Sequence, residues 1–333
     1  MNHGGDLGEA LNAFGGERAD WLDLSTGISP DPYPFDPPTD ASWSQLPQAD
    51  ALDALLKAAR RAYGAPVDAP IVAAPGTQML IQVLPVLRPA KRVAMVGRTY
   101  GEHAVCWQRR GSAVACISDP CHAQDAEIVI LVNPNNPDGR RWSAESVLAC
   151  AEAIARRGGL LIVDEAFADV APEVSVAAHA GTAGLVVLRS FGKFFGLAGI
   201  RLGFALGPAG PARELTELLG PWAVSGPAID IGIRALSDLD WQQMARIGLA
   251  RLAARLDRLL AEAGLEILGG TALFRLASHP DATALHRGLA EQAIWVRRFD
   301  DQPQWLRFGL PGSDAAFARL AAALRSSGLA ARS

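Results

Sequence analysis

The chain has 333 residues, 50% of them apolar and 20% charged, a composition that can bury a core and is too apolar for disorder. Acidic residues exceed basic ones by 35 to 31, a formal charge of −4, and Lys and Arg are scattered, which excludes an electrostatic nucleic-acid binder. The start MNHGGDLGEA is polar, and no apolar stretch approaches the ~20 residues that cross a bilayer, so neither secretion nor a membrane partner is expected and the expected location is the cytoplasm.

The length predicts one large domain and a smaller one. Residues 28–39, ISPDPYPFDPPT, read as an extended arm, because each proline fixes φ and disfavours helix in its predecessor. Ala51, Leu52, Leu55, Leu56, Ala59 and Ala62 recur at helical spacing up to Gly64, a candidate stop. In APGTQMLIQVL (74–84), Gly76 and Thr77 stand directly before an apolar-periodic helix, where backbone N–H groups and the helix dipole suit a phosphate.

From residue 92 short β-rich runs follow: RVAMV (92–96), AVACI (113–117), EIVILV (127–132), LLIV (160–163) and LVVL (185–188), read as strands buried on both faces. Between the third and fourth lies a helix capped by Ser143 and ended by Gly158 and Gly159, so the sheet should be parallel. Cys106, Cys116, Cys121 and Cys150 form no CxxC pair and have no finger-spaced His, so neither a metal site nor a disulfide framework is expected. GPWAVSGP (220–227) reads as a linker, followed by a helix near 241–263, short strands and a last helix near 313–327. The expected division is an arm (1–40) joining the small domain, a large domain (41–220) and a small domain (221–333).

Ligands of open parallel sheets bind beyond the carboxyl ends of the strands. Those ends are followed by GRTY (97–100), NPNNPDG (133–139), DEAF (164–167) and RSFGK (189–193), which collect an aromatic ring, an amide, a carboxylate and a lysine. A pyridinium cofactor held as an imine needs that set. Lys193, among Phe191, Phe194, Phe195 and Leu197, is the candidate nucleophile, desolvation favouring its neutral amine. Asp164 ends an apolar strand and needs a cationic partner, which a protonated pyridine nitrogen or a structural salt bridge could supply. Asn136 could aim an amide at a ligand or only serve its turn. Tyr100 could stack on a ring or simply pack, and Ser190 and Arg201 could join Gly76 and Thr77 on one phosphate.

Assembled, these residues resemble those of the fold-type I pyridoxal 5′-phosphate enzymes of the class I/II aminotransferase superfamily. The most specific part is SFGKFFGLAGIRLG (190–203), with Ser190, Lys193 and Arg201 in the family's spacing. The resemblance implies an α/β fold: a large domain with a mainly parallel seven-stranded sheet between helices, and a smaller α+β domain. It further implies Lys193 in covalent linkage to the cofactor, Asp164 on the pyridine nitrogen and Asn136 on the ring hydroxyl. Gly76, Thr77, Gln78, Ser190 and Arg201 would surround the cofactor phosphate and Tyr100 would cover the ring. Arg307, in WLRFGLPG (305–312), would grip a substrate carboxylate, unless it is a plain surface arginine.

HGGDLGEALNAFG and LDLSTGISPDPYP further resemble the amino-terminal segments of the threonine-phosphate decarboxylases of cobalamin assembly, relatives of histidinol-phosphate aminotransferase. That branch implies decarboxylation of L-threonine O-3-phosphate, with transamination of a phosphorylated substrate as the alternative. His3, if ordered, and Gly27 would contact the substrate, and the protein would be a homodimer. Four positions depart from the family pattern: Phe167 and Leu46 stand where tyrosines are common, Gly192 replaces a serine and Asp138 a threonine.

Overall fold

A computed structural model describes residues 4–123 and 125–326. The chain forms two compact units. The larger comprises 32–136 and 140–242; the smaller comprises residues up to 31, 137–139 and 243 onward.

The smaller unit opens with α1 (Leu7–Phe14), whose N-cap Asp6 accepts a hydrogen bond from Gly8 N, and with β1 (Leu22–Leu24). The larger unit follows with α2 (Asp40–Ser44), α3 (Ala49–Ala62), β2 (Ile71–Ala74), α4 (Thr77–Leu87), β3 (Arg92–Val96), α5 (Glu102–Gln108) and β4 (Ala113–Ile117). It continues through β5 (Ile128–Val132), α6 (Ala144–Arg156), β6 (Leu160–Asp164), β7 (Leu185–Ser190), α7 (Phe191–Phe194), β8 (Gly203–Leu206), α8 (Ala209–Leu219) and α9 (Gly226–Ser237). The unit division falls in the first turn of α10 (Leu239–Glu262). β9 (Glu266–Thr271), β10 (Phe274–Ser278), α11 (Ala282–Ala290), β11 (Ile294–Arg298), β12 (Trp305–Gly309) and α12 (Asp314–Ser326) complete the smaller unit.

The seven strands of the larger unit pair in the order β2-β8-β7-β6-β5-β3-β4. All pairs are parallel except those made by β8, so the expected mainly parallel sheet is present. Ile130, Ile162, Val186 and Leu188 are buried with Leu80 and Leu84 of α4 and Trp107 of α5. Each such side chain contributes about 1.5–3 kcal/mol on burial. Ser143 caps α6 by accepting from Ser146 N, as its position before an apolar-periodic run predicts. β4 differs from expectation: AVACI lies at the sheet edge, where its residues are exposed or half-buried, so its apolar letters do not report burial on both faces.

The smaller unit holds a five-stranded sheet ordered β1-β11-β12-β10-β9, with β1 parallel to β11 and the other pairs antiparallel. Leu7, Ala10, Trp21, Ala290 and Trp295 form a buried cluster within it.

The compact units divide at 31/32 and 242/243, whereas the sequence suggested 40/41 and 220/221. α9 packs on α3, and Ser42 Oγ donates to Asp230, so the Gly- and Pro-bearing stretch at 220–227 is a turn inside the larger unit. Tyr33 N donates to Phe195 O at 2.9 Å, holding the arm from residue 32 in that unit. A second correction concerns cysteine. Cys121 and Cys150 form a disulfide with Cα atoms 5.3 Å apart, a pairing that α6 creates by returning across the sheet and that linear spacing conceals. Among the described residues no helix is long and apolar enough to cross a membrane.

Candidate active site

The site is built from the carboxyl ends of the parallel strands. Val132 of β5, Asp164 of β6 and Leu188 of β7 are register partners, so the residues that follow them share one rim. In NPNNPDG, Asn133 and Asn135 serve the loop itself. Asn133 Nδ2 donates to Trp142 O at 3.0 Å, and Asn135 Nδ2 to Arg98 O at 2.9 Å. Asn136 is the half-buried member of the three.

Asp164 is buried, and its Oδ2 lies 2.9 Å from Nε2 of His103, itself buried on α5. An ionised carboxylate only accepts, so Nε2 carries the hydrogen. Asp164 Oδ1 accepts from Ala166 N at 3.0 Å. Both carboxylate oxygens are thus oriented by the protein. His103 was not singled out from the sequence. Its only signal was the three-residue spacing from Tyr100, which sets both rings at the start of α5, with centroids 6.2 Å apart and planes at 90°.

Tyr100 donates its hydroxyl to Gln78 Oε1 at 3.0 Å, and Gln78 Nε2 donates to Glu102 Oε2 at 3.2 Å. Burial, reinforced by the nearby charges of Glu102 and Asp164, pushes the Tyr100 phenol up to about 12, with Arg201 opposing. The phenol is therefore a neutral donor at any working pH. Gln78, expected beside a phosphate, has its amide engaged with these two neighbours.

Gly76 precedes α4 with φ +80°, and a Cβ there would stand 2.7 Å from Arg201 Nη2. The positive φ favours glycine, and the missing side chain leaves the guanidinium its present place at the helix start. Arg201, left-handed at φ 56°, is anchored by its Nη1 donating to Ala198 O at 3.1 Å. A Cβ on Gly203 would meet Thr77 N at 2.5 Å, and Gly203 is the register partner of buried Ser190. Thr77, Ser190 and Arg201 are therefore gathered at a helix N-terminus whose N–H groups no N-cap side chain covers. A phosphate dianion fits this donor set.

Lys193 is half-buried on α7, its Nζ 6.0 Å from the centre of the Phe167 ring. Phe191, Phe194 and Phe195 are buried around α7, and the rings of Phe191 and Phe195 stack at 4.4 Å. Gly192 departs from the family's serine for a visible reason: a Cβ there would be 2.7 Å from Ala198 Cα. The larger unit thus offers an amine beside an aromatic wall, an oriented buried carboxylate and an anion cradle. A planar phosphorylated heterocycle bound through an amine fits those three features.

Gly27 and Arg307 lie in the smaller unit. Arg307, buried on β12, donates from Nη2 to Ser25 O at 2.6 Å, and its guanidinium stands 5.2 Å from the Phe274 ring centre. Burial, aided by Arg297, pushes the guanidinium down to about 10, with Asp23 opposing. It remains cationic at neutral pH and is poorly solvated, a state that an incoming carboxylate relieves. Gly4 lies against the same place: a Cβ there would meet Ser25 O at 2.3 Å and Arg307 Nη2 at 3.4 Å. His3 lies outside the described residues.

The fold and site define a class. The chain belongs to the aminotransferase class I and II family, whose model matches residues 40–324. It is 46% identical over 326 residues to a threonine-phosphate decarboxylase of a Sinorhizobium species, covering 97% of each chain. It is 44% identical over 327 residues to the threonine-phosphate decarboxylase of Pseudomonas aeruginosa, again covering 97% of each. Its fold matches that of histidinol-phosphate aminotransferase from Sinorhizobium meliloti, solved in complex with pyridoxal-5'-phosphate, with a TM-score of 0.78 at 22% identity over 91% of this chain and 90% of that one.

Proposed function

We propose that this protein is a pyridoxal 5′-phosphate-dependent decarboxylase that converts L-threonine O-3-phosphate to (R)-1-amino-2-propanol O-2-phosphate, a unit of cobalamin assembly. The observation that carries the cofactor assignment is the Gly76–Arg201 cradle, where absence of a side chain at one residue makes room for the cation at the other. The near-full-length identity to two threonine-phosphate decarboxylases supports the choice of reaction.

Lys193 would hold the cofactor covalently, Asp164 its pyridine nitrogen, Asn136 its ring hydroxyl and Thr77, Ser190 and Arg201 its phosphate, with Tyr100 over the ring. When bound, the cofactor supplies a conjugated electron sink for the bond broken at Cα. His103, hydrogen-bonded to Asp164 at 2.9 Å, would keep that carboxylate aimed. Arg307 would take a substrate carboxylate and Gly27 would contact the substrate; His3, the remaining candidate, lies outside the described residues. The contacts that hold the substrate would decide which bond at Cα breaks, favouring loss of the carboxylate over loss of the hydrogen. Lys193, released when the substrate amine takes its place, would be the acid that returns a proton to Cα after carbon dioxide leaves.

The protein acts in the cytoplasm as a homodimer. Support for the dimer is an apolar surface on the larger unit, where Trp43 and Leu46 are 70% and 59% exposed. The experiment is a ³¹P NMR time course with L-threonine O-3-phosphate and added pyridoxal phosphate. Appearance of aminopropanol phosphate with carbon dioxide, independent of 2-oxoglutarate, is expected. Turnover that requires 2-oxoglutarate and forms glutamate would replace this reading with a transaminase.

A further inference from the structure

One residue along from each of two site residues lies a member of a single dry ion pair. Glu165 follows Asp164, Arg189 precedes Ser190, and Arg189 Nη1 reaches Glu165 Oε2 at 2.7 Å with both residues buried. Successive residues at a strand end project to opposite faces, and the partner sets here are disjoint. Asp164 engages His103 and Ala166, while Glu165 engages Arg189, Ser175 and Val176. Ser175 Oγ donates to Glu165 Oε2 and Val176 N to Glu165 Oε1, each at 2.6 Å. Arg189 Nη2 also reaches Asp169 Oδ1, and its guanidinium stands 4.2 Å from the Tyr63 ring centre. Glu165 N donates to Leu188 O at 2.9 Å, so backbone and side chain of one residue both tie the end of β6 to β7.

A buried ion pair contributes little net stability compared with well-packed apolar side chains, because desolvation offsets the attraction. Its distinctive property is a fixed geometry. We propose that Glu165 and Arg189 are positioning residues for the reaction: from the far side of the sheet they fix where the ends of β6 and β7 present Asp164, Ser190 and Lys193. The effect on turnover rests on the decarboxylase reading; the effect on Asp164 does not.

The test is Glu165→Gln, which keeps the shape and removes the charge, compared with Asp169→Asn, which removes a charge from the same arginine away from Asp164. The readout independent of turnover is the low-field proton resonance of His103 Nε2–H, assigned by its loss in His103→Gln and recorded on the full-length protein before and after pyridoxal phosphate is added. In Glu165→Gln the resonance should move, and kcat should fall about tenfold with KM within about twofold, as expected for sub-ångström misplacement of reacting groups. Asp169→Asn should lower the melting temperature yet leave the resonance and kcat in place. An unmoved resonance in Glu165→Gln, or an equal displacement in Asp169→Asn, would reduce the pair to a structural element. Should Glu165→Gln fail to fold, Ser175→Ala, which removes one hydroxyl from the pair, must move the resonance in some measure, and no movement overturns the proposal. A moved resonance without decarboxylation would sustain the positioning role and remove only the proposed reaction.

Discussion

Arg201 occupies the space that a side chain on Gly76 would need: its Nη2 stands 2.7 Å from the point where a Cβ at residue 76 would lie. The two residues are 125 positions apart in sequence, and a side chain at residue 76 would push the guanidinium from its present place. Gly76→Ala adds a methyl group that also strains φ +80°. The account expects the dissociation constant for pyridoxal phosphate to rise at least about tenfold, equivalent to ~1.4 kcal/mol, while that for phosphate-free pyridoxal changes little. Fluorescence titration with both ligands checks it.

The three tyrosines provide an alkaline prediction. Burial raises the phenols of Tyr33 and Tyr63 above the ordinary value, and Tyr100 is pushed up to about 12. A raised folded-state value means that the neutral phenols' contribution to stability is complete below pH 10 and is lost as pH climbs through the folded-state values. Phenolate absorbance should therefore rise at higher pH than that of free tyrosine, and its rise should accompany loss of secondary structure. Ordinary titration centred near pH 10 in a still-folded protein would contradict the raised phenol values.

The Cys121–Cys150 bond closes a loop of 29 residues, worth about 3.5 kcal/mol in the chain-entropy account. Denatured, unreduced protein should show two thiols, those of Cys106 and Cys116, and reduction should reveal all four. Urea unfolding with and without dithiothreitol should differ in midpoint by a corresponding amount, and Cys150→Ala should remove the difference.

What the sequence made legible was local. The run SFGKFFGLAGIRLG shows its lysine and arginine at fixed separation, and Ser143 announces a helix start, because both signals lie within a turn or two of chain. His103 was hidden because a single histidine inside a helical apolar segment looks like packing until β6 brings Asp164 to its Nε2. Arg189 and Glu165 carried no sequence signal of their partnership, which exists only across two strands. AVACI was misjudged because apolar periodicity says nothing about whether a strand lies in the centre or at the edge of its sheet. The unit boundary near 220 was misplaced because glycine and proline mark any turn, including one inside a compact unit.

The central claim is that the amine of Lys193 carries the cofactor through which this chain acts. Borohydride reduction of the protein with bound pyridoxal phosphate, followed by peptide mass mapping, tests it most directly. The account predicts one phosphopyridoxyl group per chain, on Lys193, and none in Lys193→Ala. Label on Lys57 or Lys91 instead, or no label at all under conditions that saturate binding, would contradict it.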